Sequence, residues 1–203
     1  MAIPFFIVTS YKDIYSPNNN GLKAITFIKR PISLQSMLPL LCLLFTTHFS
    51  PPDKWQTYKD SLSRYTIEYP ETWDKRYYET AVSFVSPLDG EMDLFAENVN
   101  IIIQDLSHKP MTLADFTELS KNQYISDYGD SSIVSIKDTT FHGEQAEKGI
   151  FSMANPVQPL KILQYWFIKN NMAYILTYTA EPKQFERFLP TAIKVIDSFK
   201  LLK

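Results

Sequence analysis

The sequence predicts an α+β fold, a sandwich in which amphipathic helices cover an antiparallel sheet, and three observations carry that prediction. Apolar alternation with period two recurs beyond residue 60, in runs bounded by Gly, Pro and Asn. Tight-turn signals join successive runs into hairpins, and two stretches, near 112–128 and 182–199, carry apolar residues at helical spacing instead. Each helix stripe and at least one sheet face then needs apolar cover, which layering supplies.

The elements follow in order. Pro51 and Pro52 open a linker expected over 51–63. Tyr65, Ile67 and Tyr69 then alternate with polar residues until Pro70 ends a strand over 64–69. Strands are expected at 80–86, with Val82 and Phe84 on one face, and at 97–106, where Val99, Ile101 and Ile103 alternate; the acidic loop 88–93 separates them. Two more, near 132–141 and 145–153, meet at His142 and Gly143, where glycine supplies the positive φ of a tight turn. The runs 160–169 and 172–179 are β-branched and aromatic, and Asn170 and Asn171 between them tolerate left-handed backbone. The expectation is seven strands, paired antiparallel through these hairpins.

The first helix is predicted from Thr112, whose hydroxyl can cap the amide near Asp115, with Leu113, Phe116, Leu119 and Tyr124 on one face and Tyr128 and Gly129 as its stop. The second starts near Pro182, and Phe185, Phe188, Leu189, Ala192, Ile193, Ile196 and Phe199 form its stripe. Pro190, inside it, is expected to kink or split it.

Length and charge narrow the function. The 203 residues suit one sizeable core, and 20 basic against 22 acidic residues offer no field for a polyanion, so nucleic acid is not an expected partner. Residues 1–50 differ from the rest: four bases and one acid precede a short apolar run from Met37 to Phe45, too short to span a bilayer as a helix. This is the layout of a secretory leader. The alternatives are an uncleaved membrane-associated arm, a mis-assigned start or a buried hydrophobic segment. The organisation expected is therefore leader 1–50, linker 51–63 and domain 64–203, exported to a periplasmic, extracellular or membrane-peripheral location, or cytoplasmic if the start is mis-assigned. Cys42, the only cysteine, lies in the leader, so a processed chain has no thiol for a disulfide, a zinc site or a nucleophile, and its 16 basic and 21 acidic residues make it acidic.

A set of short motifs resembles the PsbP family and its Mog-type relatives over about residues 60–202. Tyr65 to Tyr69 followed by Pro70 and Trp73 is similar to the family's opening; Val82 with Phe84, Glu97-Asn98-Val99, Leu113 with Phe116, Phe141-His142-Gly143 with Ala146, Tyr174 to Ala180, and Asp197-Ser198-Phe199 follow in the family's order. The resemblance implies an α/β/α sandwich around an antiparallel sheet, without catalysis. The family's members include extrinsic subunits of the oxygen-evolving photosystem, nuclear proteins that bind the Ran GTPase, and many exported bacterial proteins of unknown role. The basic N-terminal arm of the photosynthetic members is not recognisable here, so the exported bacterial relatives are the nearer resemblance.

No residues are assigned as catalytic, cofactor-binding or metal-binding. His108 and His142 read as solvated loop and turn residues. Ser61, Ser63, Ser83 and Ser86 lack the setting of a nucleophile elbow, and five glycines make no phosphate-cradling loop. Trp73 reads as a core plug, and Tyr165 with Trp166 places one ring on each face of a strand, one for the core and one for a partner. Asp89, Glu91 and Asp93 alternate in a loop and could offer oxygen ligands to calcium, but without EF-hand spacing they read as a solvated turn. The function expected is a monomeric, non-enzymatic accessory module, without cofactor, that docks on a protein partner at the cell envelope. The alternatives are a carrier of a small apolar ligand or lipid, and a photosystem II extrinsic subunit.

Overall fold

The computed structural model describes residues 54–78, 81–90, 92–154 and 158–202. The leader read over 1–50, with Cys42, lies outside them, as does Glu91. Ten strands and two α-helices are present among the described residues. Strands β1 (Trp55–Asp60), β2 (Tyr65–Pro70) and β10 (Lys200–Leu201) form a small sheet, with β2 in the middle. Strands β3 (Asp74–Tyr78), β4 (Ala81–Val85), β5 (Asn98–Asp105), β6 (Ile133–Phe141), β7 (Glu144–Met153), β8 (Leu160–Lys169) and β9 (Met172–Ala180) form a seven-stranded antiparallel sheet in the order β3-β4-β5-β9-β8-β7-β6. Helices α1 (Leu113–Tyr128) and α2 (Phe185–Asp197) carry the two apolar clusters on opposite faces of that sheet, an α/β/α arrangement.

Register divides the sheet residues between the two faces. Val99 pairs with Tyr178 and Ile101 with Leu176, so Val82, Phe84, Val99, Ile101, Leu163, Phe167, Leu176 and Tyr178 share the face under α2 and the small sheet. The residues between them, Ile102, Phe151, Ile162, Trp166 and Ile175, meet α1 through Phe116 and Tyr124. Gly149 sits beneath this second cluster because a Cβ there would come within 2.4 Å of the Phe151 ring.

Local chemistry explains the turns and caps. Asn170 and Asn171 both have positive φ, 52° and 58°, as a two-residue β8–β9 turn requires, and His142 and Gly143 do the same between β6 and β7. Thr112 caps α1 through a reciprocal box: the Asp115 amide donates to the threonine hydroxyl at 3.1 Å, and the Asp115 carboxylate accepts from the Thr112 amide.

Five sequence expectations need correction. Residues 55–60, expected as linker, form β1, paired along its whole length with β2; Trp55 and Tyr58 pack against the core, but their spacing of three hides the alternation. With β1, two further strands, β3 and β10, raise the count from seven to ten. β3 is exposed at every position and so shows no apolar period, and β10 is only two residues long. Leu119 is 41% exposed because the stripe that packs runs through Phe116, Ser120 and Tyr124, and Leu119 falls about 100° around the helix from its centre. Of the two outcomes expected at Pro190, the split does not occur: α2 runs unbroken from Phe185 to Asp197. That helix begins three residues after Pro182, through a turn in which the Gln184 and Phe185 amides both donate to the Glu181 carbonyl, and Phe199 lies beyond its end yet is buried.

Candidate binding groove

The β1–β2 turn brings the two sheets face to face around an open groove. Asp60 shapes that turn: its carboxylate accepts from the Ser63 amide at 2.7 Å and from the Tyr58 hydroxyl at 3.1 Å, and Arg64 closes the turn with φ 55°. The Leu202 amide donates to the Arg64 carbonyl at 2.7 Å, which ties the end of β10 to the same corner. Leu62, at the tip, is 96% exposed.

Three adjoining cavities run beneath this corner. The first, about 500 Å³, lies between Tyr58 and Tyr65 on one side and Tyr77, Val82 and Ile101 on the other. The second, about 860 Å³, shares Leu62, Ser63 and Ile103 with the first and extends to Met172, Tyr174 and Lys169. The third, about 240 Å³, shares Lys169 and Leu201 with the second and ends at Phe141, His142 and Glu144. The lining crosses the large sheet obliquely from Tyr77 on β3 to Phe141 on β6, six inter-strand steps that amount to about 29 Å across the strands.

Its floor is a continuous series of aromatic contacts. Ring centroids lie 6.2 Å apart for Tyr77 and Tyr58, 5.9 Å for Tyr58 and Tyr65, 5.1 Å for Tyr65 and Phe199, 6.3 Å for Phe199 and Phe167, and 5.5 Å for Phe167 and Phe141. Such spacings are those of favourable aromatic pairs. Burial pushes the Tyr65 phenol up; burial, with Asp60 beside it, does the same for Tyr58, so both stay protonated.

The rim is cationic. Lys75 places its Nζ 4.8 Å from the Tyr58 ring and 5.3 Å from that of Tyr77. Arg64, Lys169 and Lys200 follow along the groove, and Lys169 is bound to Glu144 at 2.6 Å.

The residues weighed from sequence fall elsewhere, except Ser63, which lines the first two cavities, and His142. Trp73 is in the core, as expected. Trp166 is buried, with its Nε1 donating to Thr117 Oγ1 at 2.8 Å, but Tyr165 is half-buried under Lys148 and presents no exposed partner ring. His108 is exposed in its loop. His142, read as a solvated turn residue, is exposed at the end of the groove. Asp89 and Asp93 do not converge on an open position: Asp89 pairs with Arg187 of α2, which holds its carboxyl below the usual range, and Asp93 accepts from the Asp89 and Phe95 amides at 2.7 and 3.1 Å. Among the described residues no group of three or more His, Cys, Asp or Glu gathers as a metal ion would need.

The groove was missed because one of its walls is formed by β1, its turn and β3, which the sequence reading left as linker or loop. Two signals were available: Trp55 and Tyr58 inside the expected linker, and Tyr77 with Tyr78, an aromatic pair in a stretch of otherwise charged residues.

The sequence pattern of the PsbP family matches residues 53–201, nearly the whole described region. The chain belongs to the PsbP family. Solved structures agree on the fold. The cyanobacterial PsbP, CyanoP, of Synechocystis sp. PCC 6803 is similar at TM-score 0.53 and 14% identity over 72% of this chain and 92% of its own. PA94 of Pseudomonas aeruginosa, a protein of unknown function, gives 0.52 and 16% over 71% and 94%. LpqN of Mycobacterium tuberculosis, involved in cell envelope biogenesis, gives 0.54 and 10% over 74% and 91%. No curated protein matches the chain in sequence. At these identities the likeness establishes the PsbP-like α+β fold, and function rests on the site itself. Among the described residues no helix is long and apolar enough to cross a membrane.

Proposed function

We propose that this PsbP-family chain is a non-enzymatic binding module of the cell envelope that docks on another protein through the groove between its two sheets. The observation that carries the reading is the open groove between the sheets, lined where it is accessible by half-buried Tyr58, Ile103, Met172 and Leu201 and by exposed Leu62 and Tyr77. Tyrosine-rich surfaces with an apolar centre and a polar rim are what protein interfaces use, because large rigid rings give contact area at little entropic cost. Envelope placement is supported by the leader read over residues 1–50 and accords with the printed role of LpqN.

A photo-reactive residue in place of Leu62 or Tyr77, in the full chain in its native cells, tests this. A discrete protein adduct at both positions, absent when the label replaces exposed Val134 on the far edge strand, is expected. Adducts at all three positions alike, or at none, would overturn it.

A second reading, a carrier of an acyl chain, is favoured by one observation: the central cavity, about 860 Å³ and lined by Met172, Leu201 and Leu202, falls within the usual size range of small-molecule sites. The open side and the tyrosine hydroxyls along the groove weigh against it, since acyl sites enclose their ligand.

A further inference from the structure

We propose that Glu97 is a proton-controlled fastening: neutral, it holds residues 93–97 against the turn that leads into α2, and ionised, it lets them go. The proposal is independent of what the groove binds, since neither these residues nor those of the turn line its three cavities.

Position comes first. Glu97 directly precedes β5, and its carbonyl accepts from the Ser86 amide at 2.8 Å, which closes the base of the β4–β5 connection. Its carboxyl group accepts from its own amide and from that of Glu181, the residue after β9. The connection is thus tied to the 181–187 turn at Glu97, and a second time where Asp89 pairs with Arg187, one of whose contacts is 3.2 Å long. Within it, Asp93 accepts from the Asp89 and Phe95 amides, and Phe95 is fully buried.

Charge makes the fastening depend on a proton. Glu97 is almost wholly buried, one of its oxygens has no partner, and two more carboxylates act on it, Asp93 from the connection and Glu181 from the turn. A buried carboxyl in such company favours its neutral form. Burial first, then Asp93 and Glu181, outweigh the two amides and push it up to about 7. From the other elements it faces Lys183 in the turn, Arg187 on α2 and Tyr178 on β9, whose hydroxyl donates to the Phe185 carbonyl. Neither cation is reserved for Glu97: Lys183 pairs with Glu181 at 3.0 Å and Arg187 with Asp89. Glu186, which also acts on Tyr178, pairs with Lys161 at 2.9 Å. Ionisation therefore adds a charge that the closed arrangement neutralises poorly and that water, reached on release, solvates. Lower pH restores the neutral group and recloses the contact. Leu88, Met92 and Leu94 are already exposed on this connection, so freeing Phe95 would enlarge an apolar surface as pH rises.

Hydrogen exchange of the full chain, read amide by amide by NMR from pH 5 to pH 8.5 and corrected for the intrinsic pH dependence of exchange, tests this. The Ser86 and Glu181 amides, whose acceptors belong to Glu97, should lose protection about ten-fold or more as pH rises through about 7, while the central amides of β8 and β9 keep theirs. Glu97→Gln, which keeps the shape without the charge, should hold protection constant. Glu181→Gln, which removes a neighbouring negative charge, should move the loss to lower pH. Protection at Ser86 and Glu181 that does not change with pH, a loss shared equally by β8 and β9, or a loss that persists in Glu97→Gln would each overturn the proposal.

Discussion

Replacing Glu97 by Gln should stabilise the protein at alkaline pH and leave it almost unchanged at acid pH. Glu97 stands immediately before β5, 1% exposed, with one carboxylate oxygen lacking a hydrogen-bond partner. Burial pushes its pKa up to about 7 from 4.5; the amides of Glu97 itself and of Glu181 pull it down, while the charges of Asp93 and Glu181 add to the rise. Lys183 and Arg187, from the turn before α2 and its first turn, are the cations that feel its charge. The folded pKa lies above the unfolded one, so the protonated form is the one the fold favours. Its contribution is fully present below about pH 4.5 and is lost as pH rises through about 7. Two and a half pKa units at about 1.36 kcal/mol each amount to about 3 kcal/mol. Urea unfolding of wild type and Glu97→Gln at intervals from pH 4 to pH 8.5 measures it, each pair compared at the same pH so that other titrating groups cancel. A gain that grows from near zero to about 3 kcal/mol is expected. A difference that is flat with pH would show that Glu97 is solvated or paired in a way this geometry excludes.

Glu147 lies opposite Asp138 across the β6–β7 ladder, and burial together with that neighbouring carboxyl pushes its pKa up to about 7. Asp138→Asn should therefore lower the Glu147 pKa, seen by carboxyl NMR titration, and raise stability above pH 7 more than at pH 4. Phe185→Ala removes a buried ring in contact with Tyr178 and should cost about 3–5 kcal/mol in chemical denaturation; a cost near zero would put that helix face on the surface. Gly149→Ala should cost about 1–3 kcal/mol in the same assay, since its Cβ meets the Phe151 and Trp166 rings within 3 Å. Calorimetry of the chelator-treated chain should show no saturable heat at micromolar calcium, because Asp89 and Asp93 are engaged by Arg187 and by backbone amides; saturable heat abolished by Asp93→Asn would refute this.

The parts of the fold that were legible are those in which a residue's role is local. Asn170 with Asn171 and His142 with Gly143 announce their turns because few other residues accept positive φ, and Thr112 with Asp115 announces a helix start because both partners of the cap are close in sequence. The central strands β5, β8 and β9 were legible because one face or both are fully covered. What was not legible depends on distant partners. β1 exists because β2 pairs with it, and β3, a wholly exposed edge, draws its charged residues from the need to deter edge-to-edge pairing, which leaves no apolar period to read. The groove shared this fate. Its walls come from the two ends of the domain's sequence and its middle, joined by contacts such as that of Tyr65 with Phe199, which no local pattern encodes.

If the groove docks a partner as proposed, fold and recognition draw on different residues within it. Tyr65, Phe141, Phe167 and Phe199 are buried in the core while their rings also underlie the groove, so changing them would remove stability along with any binding surface. Leu62, Tyr77 and Lys200 are exposed and carry little of the fold's packing, and surface changes of that kind usually shift stability by about 0.5 kcal/mol or less. Selection for a new partner can therefore act on the rim almost without cost while the floor is held by folding. On that division, floor substitutions should lower stability and binding together, whereas rim substitutions should alter binding alone. The separation would be visible as two distinct groups when the melting temperature of each variant is set against its yield of the partner adduct, and a single continuous trend through both sets would contradict it.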